Sequence, residues 1–256
     1  MKFRVLGCSG GQLPGFNLSS FLIDDSLLID AGSTTAALNL TAQQKIKDIL
    51  ITHIHLDHVM SLATLSDNLY GKCRVPITIW SVNEIIDGLT SSFFNDRVWP
   101  DFTRITGPTQ RVPVVKLRSL AGEEVTKVGK HSVTAVAVDH AVPTVAFFVE
   151  SQNSTLLHVG DSGPTEKLWS LARRYRNLHT IVIETSFPNR LQDIADASRH
   201  LTPGTLTTEL DKLGMKSPRI LVTHLKPEFR KEIVGELGKV KGYRLRILRD
   251  GDVLQL

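Results

Sequence analysis

Ile49-Leu50-Ile51-Thr52-His53-Ile54-His55-Leu56-Asp57-His58 is the stretch from which the fold of this chain is read. Its first three residues form a short apolar strand, and the strand runs directly into three imidazoles and a carboxylate within six residues, 53 to 58. One metal ion cannot readily use all four groups in so short a loop. His53 and His55 alternate in an extended segment and can face one ion, while Asp57 and His58 turn toward a second. Burying four polar groups together is costly without a cation, so metal binding outweighs a satisfied polar core. For the isolated His131, His158 and His179 the balance reverses, and each is expected as a hydrogen-bonded core residue.

Other apolar runs end on the same chemistry. Val133 to Val138 leads to Asp139-His140, and Leu156-Leu157-His158-Val159-Gly160 leads to Asp161. Ile181-Val182-Ile183 leads to Glu184, and Ile220-Leu221-Val222-Thr223 leads to His224. Each is a strand presenting an acid or an imidazole at its carboxyl end. In open α/β sheets ligands bind outside those ends, so groups distant in sequence are expected to converge there. A convergent set of His and carboxylate side chains suits a borderline metal such as zinc.

The surrounding pattern is α/β. Phe3-Arg-Val-Leu-Gly-Cys-Ser-Gly-Gly reads as a strand breaking into a Gly-rich turn, and Ser20 to Ile29 as a hairpin closing on Asp30-Ala31-Gly32. Helical spacing predicts helices over 35–47, 165–176, 203–213 and 228–237. Strands are predicted near 114–118, 133–138, 145–149, 155–159, 180–183 and 219–223. An early meander followed by alternating strands and helices predicts mixed sheets flanked by helices. The 70–109 segment is the least regular and reads as a cap over one end. No Pro- or Ser-rich linker divides the 256 residues, which predicts a single domain over 1–256.

Composition excludes several classes. Hydrophobic residues at 41% and charged residues at 22% are ordinary for a soluble globular chain, and argue against disorder or a fibrous repeat. No stretch approaches the roughly 20 apolar residues of a spanning helix, and no secretory signal is read at the N-terminus. Cys8 and Cys73 are far apart, which argues against a disulfide framework or zinc knuckle and fits a cytoplasmic setting. A formal charge of +4 would suit an anionic substrate but carries little weight alone.

With the ligand pattern in place, the chain resembles the metallo-β-lactamase superfamily, whose H-x-H-x-D-H signature stands here as residues 53 to 58. The resemblance extends to His140 in His140-Ala-Val-Pro143, Asp161 in Gly160-Asp-Ser162, and His224 in Val222-Thr-His-Leu225. It implies an αββα sandwich in which one metal takes His53, His55 and His140 and the other takes Asp57, His58 and His224, with Asp161 bridging. Asp30-Ala-Gly32 is similar to the superfamily's turn that orients a ligand histidine, although a simple hairpin-end turn is an equal alternative for Asp30.

Within the superfamily the chain resembles the class II cyclic-nucleotide phosphodiesterases and their relatives, the tRNA 3′-processing endonucleases. His55-Leu-Asp-His58, Glu184-Thr-Ser-Phe-Pro188 and Ser198-Arg-His-Leu-Thr-Pro203 carry this, with Phe94-Asn-Asp-Arg-Val-Trp-Pro-Asp-Phe102 a looser match. Ser61 departs from the glycine many members place there. The resemblance implies that Glu184 and His200 form a proton-donor pair; the alternative for His200 is a cap on the helix starting at Thr202-Pro203. Asp57, His200 and Glu184 are taken as the catalytic side chains. Trp99 and Phe102 either stack on a base or pack the core.

The expectation is a phosphodiesterase holding two divalent metal ions, zinc foremost with Mn or Fe as alternatives. A hydroxide bridging the metals would attack the phosphorus of a 3′,5′-cyclic nucleotide such as cyclic AMP, and activity would fall in acid as protons compete for the ligands. The alternatives are an enzyme acting on RNA 3′ ends, or a hydrolase of another small ester or lactone. The arm that grips tRNA in the endonucleases is inserted between the counterparts of His140 and Asp161, where this chain has room only for a hairpin. No stable nucleic-acid partner and no membrane association are therefore expected, and a homodimer is left open.

Overall fold

The computed structural model describes residues 1–72, 74–108, 112–152 and 154–256. Cys73, Thr109 at the end of the expected cap, and Asn153 in the expected hairpin turn lie outside the described residues.

The chain opens with the strands β1 (Lys2–Gly7), β2 (Ser20–Ile23) and β3 (Leu27–Ile29), followed by the short helices α1 (Thr34–Ala37) and α2 (Leu40–Gln43). It continues through β4 (Asp48–Leu50), α3 (Leu56–Val59), α4 (Ser61–Leu69), β5 (Ile77–Ser81), α5 (Asn83–Ser92) and β6 (Val115–Ser119). The second half runs β7 (Thr126–Val128), β8 (His131–Ala137), β9 (Val145–Ser151), β10 (Ser154–His158), α6 (Lys167–Ala172), β11 (Leu178–Glu184) and α7 (Gln192–Ser198). It ends with α8 (Pro203–Leu213), β12 (Arg219–Thr223), α9 (Arg230–Leu237), β13 (Arg244–Ile247) and β14 (Val253–Gln255).

Among the described residues the strands form two seven-stranded mixed sheets, ordered β14-β1-β2-β3-β4-β5-β6 and β13-β12-β11-β10-β9-β8-β7. Each sheet has an antiparallel run joined to a parallel run, the change falling at β3 to β4 in one and at β10 to β11 in the other. Helices flank both sheets, giving the expected αββα sandwich.

Side-chain alternation builds the layers. In the second sheet Phe147, Leu156, Val182 and Leu221 pack into the core shared with the first sheet. Their neighbours Phe148, Leu157, Ile181, Ile183, Ile220 and Val222 point the other way, onto Leu168 and Trp169 of α6, Leu206 and Leu210 of α8, and Ile233 of α9. A strand buried on both faces reads as a continuous apolar run, which is why these strands were legible. α8 was legible for a different reason. Thr202 caps it with its side chain, Pro203 occupies the first turn, and Gly214 closes it at φ 69°.

Three expectations are corrected. The helix over 35–47 is two short helices, because Leu38 turns inward in extended conformation and Asn39 starts α2 by accepting from Ala42 N at 2.9 Å. The 70–109 segment holds β5, which lies between β4 and β6, and α5; the described residues before β5 and the loop beyond α5 are irregular. There Phe93, Phe94 and Phe102 are buried in the core and Trp99 packs against it. His179 is exposed, standing on the outward face at the amino end of β11. His131 and His158 are buried as expected, but among the described residues neither ring nitrogen of His131 nor Nδ1 of His158 has a hydrogen-bond partner, although His131 Nε2 lies 3.4 Å from Asp24 Oδ2.

Candidate metal centre

All the candidate groups sit at one edge of the sandwich, past the carboxyl ends of β3, β4, β8, β10, β11 and β12. β4 delivers Thr52 and His53. His55 is the extended residue before α3, and Asp57 and His58 occupy that one-turn helix, with the His58 ring 4.1 Å from that of His53. Ile54, between the first two histidines, packs on α5 where Gly88 leaves room for it.

The side chains meet in two groups. His53 Nε2 lies 3.1 Å from His55 Nδ1, which lies 3.3 Å from His140 Nε2. His58 Nε2 lies 3.3 Å from His224 Nε2, which lies 3.2 Å from Asp57 Oδ2. Asp161 Oδ2 stands between the groups, 3.4 Å from His58 Nε2, 3.3 Å from His224 Nε2 and 3.8 Å from His53 Nε2. The two sets His53, His55, His140 and Asp57, His58, Asp161, His224 each converge closely enough to hold one ion.

The outer hydrogen bonds decide what these nitrogens present to one another. His140 Nδ1 donates to the carbonyl of Arg199 at 3.1 Å, and His58 Nδ1 donates to Asp30 Oδ2 at 2.8 Å. Thr52 Oγ1 gives its one proton to Asp30, 2.8 Å from Oδ2, so it accepts from His53 Nδ1 at 3.0 Å. Ser186 Oγ likewise donates to Glu184 Oε2 at 2.7 Å and accepts from His224 Nδ1 at 3.0 Å. The proton of each of these four imidazoles thus points outward, and bare Nε2 lone pairs face each other and carboxylate oxygens at the centre. Lone pairs at such distances repel unless a cation lies among them, so this donor set fits metal ions.

The electrostatics agree. Burial pushes His53, His55 and His140 below the ordinary imidazole value. Burial also favours neutral Asp30, Asp57 and Asp161, but the surrounding histidines outweigh it and hold all three well below the carboxylate range. His58 is opposed by burial yet raised by Asp161 and Asp30. Without a metal the acids draw a proton onto His58, and a divalent ion would replace it.

The backbone is held in unusual conformations here. Asp30, Arg199 and His224 are left-handed at φ 55°, 55° and 61°, and Gly160 before Asp161 is at 72°. Such conformations cost energy and persist where packing fixes them. Gly10 fixes His224: a Cβ on it would come within 2.5 Å of His224 O and 2.7 Å of its Nδ1.

Beside this cluster His200 Nδ1 and Glu184 Oε1 meet at 2.6 Å, with Glu184 fully buried and His200 9% exposed. Burial opposes a charge on His200, but Glu184 outweighs it and pushes the imidazole up to about 9. The capping alternative fails, since Thr202 makes the cap of α8. The stacking alternative fails for Phe102, which is a core residue. Asp30 is no mere turn residue, because its carboxylate also receives Thr52 N at 2.8 Å. Sequence reading missed Thr52, Ser186 and Arg199, which orient the rings, and His158, whose Nε2 lies 3.9 Å from Asp30. The two hydroxyls adjoin quoted motifs and could have been found by asking what holds each Nδ1. Arg199 acts through its carbonyl, which leaves no trace in residue type.

Comparison with known proteins gives a consistent picture. Residues 29–164, more than half the chain, match the family model described as cAMP phosphodiesterases class-II. A probable 3′,5′-cyclic-nucleotide phosphodiesterase of Yersinia pestis is 30% identical, over 97% of this chain and 87% of that protein. Unliganded yeast PDE1 superposes with a TM-score of 0.81 at 21% identity, covering 96% of each chain. The metallo-β-lactamase fold protein YhfI of Bacillus subtilis superposes with a TM-score of 0.78 at 18% identity, covering 99% of this chain and 98% of that one.

Proposed function

The chain belongs to the class-II cAMP phosphodiesterase family and is a hydrolase, and on that premise we propose that it cleaves 3′,5′-cyclic nucleotides at a site for two divalent ions. His53, His55 and His140 would hold one ion, Asp57, His58 and His224 the other, and Asp161 both. The observation that carries this reading is that His53, His58, His140 and His224 each turn a bare Nε2 into the site while the outer proton on Nδ1 is engaged. Zinc suits so imidazole-rich a site, with Mn or Fe as alternatives. When bound, the ions would lower the pKa of water and neutralise charge on the phosphate.

The chain's own residues supply the rest. Asp30, Thr52, Ser186 and the Arg199 carbonyl fix the tautomers and ring orientations, so little reorganisation is needed during reaction. Asp57, whose side chain is 29% exposed where that of Asp161 is 3%, is placed to orient the attacking water as an ionised acceptor. His200 has Nδ1 on Glu184, and among the described residues its Nε2 has no hydrogen-bond partner, so the Nε2 proton is available to the departing ester oxygen. A lactone also expels an alkoxide, so the proton donor does not by itself choose the substrate; family membership favours a phosphodiester over a lactone or lactam. We read residues 1–256 as one domain, with α5 and the loop after it bordering the substrate. Among the described residues no helix is long and apolar enough to cross a membrane.

Hydrolysis of cyclic AMP, cyclic GMP and bis(p-nitrophenyl) phosphate by metal-defined protein tests this reading. Turnover of a cyclic nucleotide supports it. Turnover of small esters or lactones, with none of the three phosphodiesters, overturns it.

A further inference from the structure

Two residues beyond His224 the chain places a cation that none of the interactions above uses. Leu225 pairs with Ser9, and Lys226 N donates to Ser186 O at 3.3 Å, so the backbone leading into Lys226 is tied to the site. Its ammonium donates to Gly10 O at 3.0 Å and lies 5.3 Å from the centroid of Phe187. The ring of His200 is 5.9 Å from that same Phe187 ring, meeting it edge-on at 62°. Lys226 and the proton-donor pair are therefore neighbours across one aromatic side chain.

Among the described residues no carboxylate lies within ion-pair distance of Lys226, whereas Arg199, the other cation flanking His200, is held by Asp139 at 2.8 Å. A half-buried ammonium satisfied only by a carbonyl and a ring face lacks a counter-ion, and its binding free energy toward an arriving anion is undiminished by a resident one. The reaction brings such an anion. Water adds to phosphorus and the bond to the ester oxygen breaks as that oxygen takes the His200 proton; of the two protons of the water one restores His200 and the other passes to solvent, so the singly charged diester ends as a phosphomonoester with two negative charges. Negative charge thus grows on the phosphoryl oxygens beside His200 as the bond breaks.

Resting on the phosphodiesterase reading above, we propose that Lys226 is a phosphoryl-binding residue, holding an oxygen of the substrate and more strongly of the phosphomonoester product. Gly10 O and Phe187 keep the ammonium aimed; they are its support, not its purpose.

Lys226→Gln and Lys226→Met separate charge from support. Gln can still donate to Gly10 O, Met still covers Phe187, and neither is charged. Both are expected to retain two metals and the wild-type melting temperature. In both, kcat/KM for cyclic AMP is expected to fall roughly 10- to 100-fold, the usual worth of a hydrogen bond to a charged group, and 5′-AMP binding measured by calorimetry to weaken by a similar factor. Lys226→Arg is expected to recover most of both, and Lys231→Met, an exposed control on α9, to change neither. Wild-type kcat/KM and 5′-AMP affinity in Lys226→Gln overturn the proposal, as do losses that follow metal content or melting temperature. If the wild-type chain turns over no cyclic nucleotide, the phosphodiesterase reading fails by itself. The calorimetric comparison still judges Lys226 in that case, because it needs no turnover.

Discussion

His200 and Glu184 form a 2.6 Å ion pair in which the carboxylate is fully buried and the imidazole keeps one nitrogen for the site. Glu184 receives Ser186 Oγ at 2.7 Å and Ser162 N at 3.3 Å as well, so its charge is well supported without the histidine. Removing the ring therefore need not leave the acid unpaired.

This pair gives the first prediction. His200→Ala should keep its metals and lose turnover by about 10² to 10⁴, the usual contribution of a general acid. Metal analysis alongside steady-state kinetics checks it, and a loss confined to metal affinity would make His200 a ligand instead. The stability signature has a definite sign. A histidine raised to about 9 in the fold stabilises it fully below its unfolded value near 6.5, and the contribution is lost as pH rises through about 9. Denaturant midpoints of metal-free protein should fall between those values in the wild type and be flatter in His200→Ala.

Asp161 stands between the two groups, its Oδ2 3.8 Å from His53 Nε2 on one side and 3.3 Å from His224 Nε2 on the other. Reconstituted wild-type protein should bind two ions per chain, and Asp161→Ala should lose both metal content and activity, since one carboxylate would serve two ions. Near-wild-type turnover in that variant would reduce Asp161 to a strand-end acid.

How much of this was legible depends on how each residue signals itself. The sandwich and the converging ligands could be read because buried strands are apolar runs and because acids and imidazoles at strand ends are conspicuous in type. β5 was overlooked although Ile77, Ile79 and Ser81 alternate inward, because the half-buried Thr78 and Trp80 and the turn residues before it read as irregular. The split at Leu38-Asn39 was missed because a side-chain cap competes with apolar periodicity, and periodicity alone does not reveal it. The tautomer-fixing contacts are long-range: Thr52 reaches Asp30 across 22 positions and Ser186 reaches His224 across 38. Only the fold brings them together.

Asp30→Asn tests the outer contacts in isolation. Asn tolerates the left-handed φ of 55° and nearly matches the acid in shape, so the backbone need not move. What is lost is the charge, and one oxygen that anchors His58 Nδ1 and Thr52 Oγ1. Metal affinity should fall about 10- to 100-fold, the typical cost of removing such a partner, with the melting temperature of the metal-loaded protein lowered. Titration of apo-protein with zinc decides, and unchanged affinity would return Asp30 to the role of a turn residue.

The last prediction concerns substrate size. Between His140 and Asp161 the chain is consumed by β9 and β10, paired antiparallel from Ser151 opposite Ser154 to Phe147 opposite His158 within the second sheet. No arm projects from these described residues, and an arm at this place is what the tRNA-processing endonucleases use to grip their substrate. The basic run Arg173-Arg174-Tyr175-Arg176 does not replace it. It precedes the amino end of β11, the edge opposite the metal centre, Tyr175 is stacked on Phe148 at 4.2 Å, and Arg173 is engaged with Lys212 O. With a net charge of only +4, binding of a polyanion many phosphates long lacks its usual electrostatic basis. A cyclic mononucleotide needs only the metal centre, one proton donor and a pocket for a single nucleoside. Metal-loaded protein should therefore hydrolyse cyclic AMP and leave a precursor tRNA largely uncut under the same conditions. Efficient tRNA cleavage without cyclic-nucleotide turnover would reverse the assignment in favour of an RNA 3′-end enzyme, and would require a tRNA-binding surface other than the missing arm.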